Sequence, residues 1–266
     1  MTRQAVVVLG MHRSGTSMLA RLLVALGVDF GKRLLTDEVP DNKLGYWEQA
    51  DIVELQEAIL DRLDRTWYGP NGHLPLPDGW RSRPDIVPLL ARLSDILTLE
   101  LDQARGLWGF KDPRTARLLA FWQAQFTARG VTMIPVLAVR HPAAVCGSLL
   151  ARNSINGMTL ERAERLWQVH NRDILLRLGE AGPAAVVDYD GWFTRPAEAL
   201  AALCSRLGLT APDQAAVAPL IRADLRHEGP DGPSVSSSLL RAYEALRDAA
   251  VKPSPATLRR ALAFLS

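Results

Sequence analysis

The sequence predicts an α/β fold in three layers, with a central parallel sheet, helices on both faces and helical insertions. Three observations carry this. Four short apolar runs, at residues 5–9, 107–110, 131–139 and 184–187, alternate with amphipathic stretches of helical period. The runs are apolar on successive residues, as strands buried on both faces are. The first run leads into a glycine loop and then a helix, which is half of a parallel strand–helix–strand unit.

Taken in order, residues 5–9 (AVVVL) form the first strand. Residues 16–26 follow as a helix with Met18, Leu19, Leu22, Leu23 and Leu26 on one face and Gly27 in the terminating position. Residues 28–47 read as loop, with Gly31, Pro40, Asp41, Asn42 and Gly45. A second helix begins at Asp51, with Ile52, Leu55, Ile59 and Leu63 in register. The Gly-, Pro- and Trp-rich stretch 67–84 is a long loop or lid that carries Trp67, Tyr68 and Trp80, and 86–105 is helical. A second strand at 107–110 precedes "KDPR", and 116–128 is helix. The third strand, 131–139, ends at Arg140 and His141, and Pro142 opens a helix. Helices at 160–178 and 197–207 flank the fourth strand; 209–235 is turn-rich, and two short helices finish the chain. With no repeat and no linker-like stretch, residues 1–266 are expected to form a single domain with a helical insertion at about 50–105.

The chain is 48% hydrophobic and 23% charged, with a net charge of +2. Such a balance carries no basic stripe, so a nucleic-acid partner is not expected. Of the 31 basic residues only Lys32, Lys43, Lys111 and Lys252 are lysine, an arginine bias that fits a GC-rich genome. Cys146 and Cys204 each lie in an apolar helical pattern, so buried free thiols in a reducing compartment are expected. Neither has a neighbour at metal-ligand spacing, and no metal is expected. There is no signal-peptide pattern and no apolar window of spanning length, which points to a cytoplasmic protein without a membrane span.

In an open parallel sheet, ligands bind beyond the carboxyl ends of the strands. Three such ends carry chemistry: Gly10–Ser17, Lys111–Arg114 and Arg140–Ser148. In the first, Gly10 and Gly15 allow close backbone approach, the helix start supplies unpaired N–H groups, Thr16 and Ser17 supply hydroxyls, and Arg13 supplies a two-pronged cation. The natural guest is an anion. A nucleoside-triphosphate loop would read G-x-x-x-x-G-K-[ST]; here Thr16 stands where the lysine would be. At the third end, Arg140 follows the strand and Ser148 lies eight residues later on the new helix, a pair suited to a second phosphate.

"GMHRSGTSML" resembles the 5′-phosphosulfate loop of the sulfotransferase family, and "VRHPAAVCGSL" resembles its 3′-phosphate motif, R-[ND]-P with a serine eight residues after the arginine. "VVDYDGWFTRPAEALAALCSRLGL" is similar to the family's later strand–helix segment. Order and spacing agree over residues 5–209. The resemblance implies a P-loop-like fold and the co-substrate 3′-phosphoadenosine 5′-phosphosulfate (PAPS), with Arg13, Ser14, Gly15, Thr16 and Ser17 on its 5′ end and Arg140 and Ser148 on its 3′-phosphate. No magnesium-bound triphosphate is handled, so the missing lysine is explained. The implied reaction moves a sulfuryl group to a hydroxyl of a sugar or small-molecule acceptor. Arg13 and Lys111 would be the catalytic cations, since "FKDPRTARLL" resembles the K-D-P segment of tyrosylprotein sulfotransferases.

Cytosolic family members carry a catalytic histidine near that segment; here Asp112–Pro113 stands instead. The chain therefore resembles the carbohydrate and tyrosylprotein branches, as a bacterial member, more than the histidine-base branch. Glu48, at the end of a loop entering the second helix, is the expected base, with Asp112 as the alternative. His12 and His141 flank the two anion loops and read as bystanders. Asp188 and Asp190 read as structural, and "RHEG" (226–229) lies roughly where the family contacts adenosine. The Trp67, Tyr68 and Trp80 segment suits stacking on a ring-shaped acceptor. Two other readings stay open: a P-loop small-molecule kinase, and a non-catalytic nucleotide-binding module.

Overall fold

The computed structural model describes residues 3–37, 42–153, 157–212, 217–221, 232–252 and 254–266. Four strands, β1 (Gln4–Leu9), β2 (Trp108–Lys111), β3 (Thr132–Val139) and β4 (Ala185–Asp188), form one sheet in the order β2-β1-β3-β4. Every pairing is parallel, with Val7 opposite Phe110 on one side and Pro135 on the other. All four expected strands are present, and β2 extends one residue further than expected, to Lys111. That residue thus ends the strand instead of following it.

Alternation along β1 divides the interior. Ala5, Val7 and Leu9 face one apolar core and Val6 and Val8 the other. The second core is closed by α1 (Thr16–Ala25), the short α7 (Gly191–Thr194) and α8 (Pro196–Leu207). The first is closed by α2 (Ala50–Arg62), α3 (Val87–Gln103), α4 (Thr115–Ala128), α5 (Pro142–Asn153), α6 (Leu160–Leu178), α9 (Ser237–Val251) and α10 (Pro255–Phe264). Helices therefore cover both faces, giving three layers. Each fully buried Val or Leu contributes about 1.5–3 kcal/mol, so this double coverage is what holds the sheet between its helices.

Local chemistry sets the helix ends. α1 begins after Gly15 in the left-handed region (φ +83°), and Gly27 (φ +88°) turns the chain away beyond Leu26. Pro142 opens α5 and Pro196 opens α8, each at a position whose N–H has no helical partner. The stretch 67–84 is turns plus one 3₁₀ turn at Trp80–Ser82. It is tied down by Arg65, which donates to the Pro75 carbonyl, and by Arg117, which donates to that of Leu74. The stretch "DYDGWF" that ends β4 also opens α7. Asp188 accepts from the Tyr243 hydroxyl at 3.0 Å and braces β4 on α9. Cys146 and Cys204 are buried and free. "RHEG" lies outside the described residues. Among the described residues, no helix is long and apolar enough to cross a membrane.

The order β2-β1-β3-β4 has one consequence for function. The chain leaves β1 toward β2 and returns past it to β3, so the switch point lies between the carboxyl ends of β1 and β3. Those ends carry Gly10–Ser17 and Arg140–Ser148.

Candidate functional site

The loop after β1 is shaped by two close approaches. At Gly10 (φ +144°) a Cβ would lie 2.5 Å from the Ala138 carbonyl of β3. At Gly15 it would lie 2.1 Å from the Tyr189 ring. Only glycine fits either place. Arg13, between them, itself has a positive φ of 70°. This turn presents the first N–H groups of α1 at the switch point.

The two anion-loop candidates, read separately from the sequence, meet in one cleft. Arg13 Nε donates to Ser148 Oγ at 2.8 Å, and Arg140 Nη1 donates to the Arg13 carbonyl at 3.1 Å. The Arg140 guanidinium also lies 4.7 Å from the centre of the Tyr189 ring, the ring that covers Gly15. Arg140 thus braces the Arg13 turn from behind while lining the same cleft. Thr16 and Ser17 line it too. Ser14 does not: it is 1% exposed, and its N–H closes the turn onto the Met11 carbonyl. Its side chain belongs to the packing under the loop.

Lys111 links this cradle to an acid. Its Nζ donates to Ser17 Oγ at 3.2 Å, to the Tyr46 carbonyl at 3.2 Å and to Glu48 Oε1 at 2.5 Å. Glu48 is brought there by the segment before α2, which folds back so that Leu35 N–H donates to the Glu48 carbonyl and Leu34 bridges Gln49. Arg114 Nη1 lies 3.6 Å from the other carboxylate oxygen of Glu48. Burial is the largest influence on Glu48 and raises its pKa above the ordinary carboxylate value; Lys111 and Arg114 pull it back, and Asp112 pushes it further up. A carboxyl with raised proton affinity, beside a cleft, is suited to take a proton.

Asp112, the alternative base, faces elsewhere. Its Oδ2 accepts from Gln56 Nε2 at 2.7 Å, and its Oδ1 accepts from the Arg114 backbone N–H at 3.0 Å and from Arg114 Nη1 at 2.9 Å. Gln56 is itself held by Trp122 Nε1 at 2.9 Å. Asp112 is fully buried and does not line the cleft. It fixes the first turn of α4 and the direction of Arg114.

The cleft has a volume of about 270 Å³ and opens to solvent. Several of its walls were not singled out in the sequence. Asn42 donates to Ser17 Oγ at 3.3 Å and to the Gly45 carbonyl at 2.6 Å. Arg152 donates to the Tyr46 hydroxyl at 3.1 Å and lies over Trp67. It stands four residues after Ser148 on α5, and that helical spacing is a signal the sequence did carry. Arg114 also lines the cleft. His12, read as a bystander, is buried in the wall, whereas His141 packs edge-on against Tyr243 outside it. Of the three aromatics in 67–84, Trp67 alone lines this cleft; Tyr68 is partly exposed and Trp80 lines a separate depression with Arg117 and Arg172.

The architecture is that of a sulfotransferase-like α/β fold. The chain is similar to the solved sulfotransferase domain of the olefin synthase of Synechococcus PCC 7002, at 20% identity and a TM-score of 0.53, over 100% of this chain and 96% of that one. It is also similar, at 18% identity and a TM-score of 0.46 over 89% of this chain and 71% of the other, to sulfotransferase STF9 from Mycobacterium avium. By sequence, no protein family and no curated protein matches.

Proposed function

We propose that the chain is a PAPS-dependent sulfotransferase that acts in the cytoplasm as a single domain and sulfates a hydroxyl of a sugar or other small molecule. The observation that carries this reading is the lysine bridge: Lys111 touches Ser17 of the anion cradle and Glu48 at once, so a donor cradle and a base share one cation. The fit to the donor rests on the cradle. The Arg13 and Arg140 sets adjoin, as two phosphates hung from a single ribose require, and Gly10 and Gly15 let the turn between them pack against Ala138 and Tyr189.

The bound donor supplies an activated sulfuryl group whose transfer follows phosphoryl-like, in-line and largely electrostatic logic. In the chain, Arg13, Thr16, Ser17 and the α1 N–H groups hold the 5′ end, and Arg140 and Ser148 hold the 3′-phosphate. Glu48 accepts the acceptor's hydroxyl proton as the new S–O bond forms. Lys111 and Arg13 balance negative charge gathering on the departing phosphate side. Asp112 acts through Arg114 as a positioning residue. This is the carboxylate-base arrangement of the carbohydrate and tyrosylprotein branches, and no metal takes part.

The test is thermal unfolding with 3′-phosphoadenosine 5′-phosphate (PAP). A 100-fold excess over Kd stabilises by about 2.7 kcal/mol, a rise of roughly 5 °C for a chain this size. ATP with Mg²⁺ should give no such rise, and Arg140→Ala should lose most of it. A shift with ATP–Mg²⁺ alone favours a kinase. A PAP shift with no sulfate transfer to any hydroxyl acceptor favours a binding module.

A further inference from the structure

The cleft contains a feature that donor binding does not use. His12 and Trp67 stack with ring centroids 4.5 Å apart and planes 25° from parallel. Both side chains are more than nine-tenths buried, at 8% and 7% exposure, and both line the same cleft as Glu48 and Lys111. His12 Nε2 and Trp67 Nε1 have no hydrogen-bond partner among the described residues. Buried polar atoms nearly always find partners, so two orphans on one ring stack beside a binding cleft need a reason.

The surroundings explain what keeps the pair in place. His170 meets His12 edge-on at 6.1 Å, and its Nδ1 donates to the Leu166 carbonyl at 2.8 Å, which fixes that ring on α6. The Arg152 guanidinium lies 5.4 Å from the Trp67 ring centre. Burial, then Arg114, His170, Lys111 and Arg152, push the His12 pKa well down, so the imidazole is neutral and keeps a lone pair to accept with. The indole N–H can only donate. The pair therefore offers one acceptor-capable nitrogen and one donor across the span of a ring stack.

We infer that the His12–Trp67 stack is the acceptor subsite and that it selects a polyhydroxylated ring: the two nitrogens engage two non-reacting hydroxyls while a further hydroxyl of the same ring faces Glu48. This rests on the sulfotransferase reading for the role of Glu48. Each hydroxyl would meet its nitrogen at about 2.9 Å. A site built to hydrogen-bond hydroxyls rejects analogues that lack them, because its own polar atoms are then left unpaired. Glycosyl rings and trihydroxybenzenes share this chemistry.

The test measures binding of methyl hexopyranosides (gluco, galacto and manno), pyrogallol and phenol to the protein saturated with PAP, by calorimetry. His12→Phe keeps the stack and removes the nitrogens; Trp67→Phe keeps a ring and removes the donor, and serves if the first variant does not fold. At least one hexopyranoside or pyrogallol should bind the wild type, and about tenfold or more weakly to either variant, with phenol equal across all three and the PAP shift retained. Hexopyranoside binding identifies a sugar acceptor, and pyrogallol binding an aromatic one. If none of these polyols binds better than phenol, or if the variants bind them as tightly as the wild type, the subsite assignment is wrong. Loss of the PAP shift in the wild type, with the polyol difference intact, sinks the donor reading and leaves the subsite standing.

Discussion

Glu48 and Asp112 are two buried carboxyls joined by one arginine, and their surroundings separate their roles. Glu48 faces the cleft with its proton affinity raised by burial, whereas both oxygens of Asp112 are taken up by Gln56 and Arg114. A base must be deprotonated to work, so kcat/KM should fall on the acid side through a pKa above the usual carboxylate value of about 4.3. Glu48→Gln should lower kcat roughly 10²–10⁴-fold and abolish that acid limb. Asp112→Asn should leave the limb in place while lowering the melting temperature, because a buried acceptor of three hydrogen bonds is weakened. A pH profile of each variant separates the two. An Asp112→Asn enzyme that loses the limb, beside a Glu48→Gln enzyme that keeps it, reverses the assignment.

At the scale of elements, the turn between β1 and α1 does the most with the fewest residues. Gly15 and Gly27 bracket α1 with nearly equal positive φ, 83° and 88°, but a Cβ at Gly27 meets nothing within 4 Å while one at Gly15 runs into Tyr189. Gly27→Ala should therefore cost only the left-handed backbone penalty, about 1–2 kcal/mol. Gly15→Ala should cost more and also lose PAP stabilisation, because displacing Tyr189 frees the guanidinium of Arg140; unfolding with and without PAP checks both. This turn was legible in the sequence, as were all four strands and the placing of Arg13, Arg140 and Ser148. Buried parallel strands need apolar runs, and glycine and cation positions next to them follow from local spacing. What was not legible came from segments that fold back. Tyr46 and Glu48 reach Lys111 from more than sixty positions away, bringing Asn42 onto Ser17. Trp67 lies on His12 across a stretch with no period to read. Spacing along one element fixes which residues share its face, but not which loop will cover it.

The whole molecule should be acid-sensitive through its core, because two imidazoles are folded in without charge. His170 sits on α6 amid the larger apolar core, and burial, reinforced by Arg117, lowers its pKa from 6.5 to about 3. His12 is also lowered, by burial first and then by nearby cations. For a base whose pKa is lower in the folded chain, the unfolded chain binds more protons in between. The stability is then fully present above the unfolded value of about 6.5 and is lost as pH falls toward the folded one. Each such histidine contributes a slope approaching about 1.4 kcal/mol per pH unit in that window. Glu48, Asp173 and Asp188, whose pKa values burial raises, act in the opposite sense by binding protons more readily in the folded chain. They offset the histidines in the range between the ordinary carboxylate pKa and their own raised values. The loss should therefore be clearest just below pH 6.5, where unfolded histidines already titrate. Urea unfolding at pH 7.5, 6.5 and 5.5 reads the slope directly. His170→Leu removes one titrating group from the core while the α6 carbonyl it bonds keeps its place in the helix ladder. The variant should lose about one histidine's share of the slope between pH 6.5 and 5.5; an unchanged slope means that His170 is charged or accessible in the folded chain.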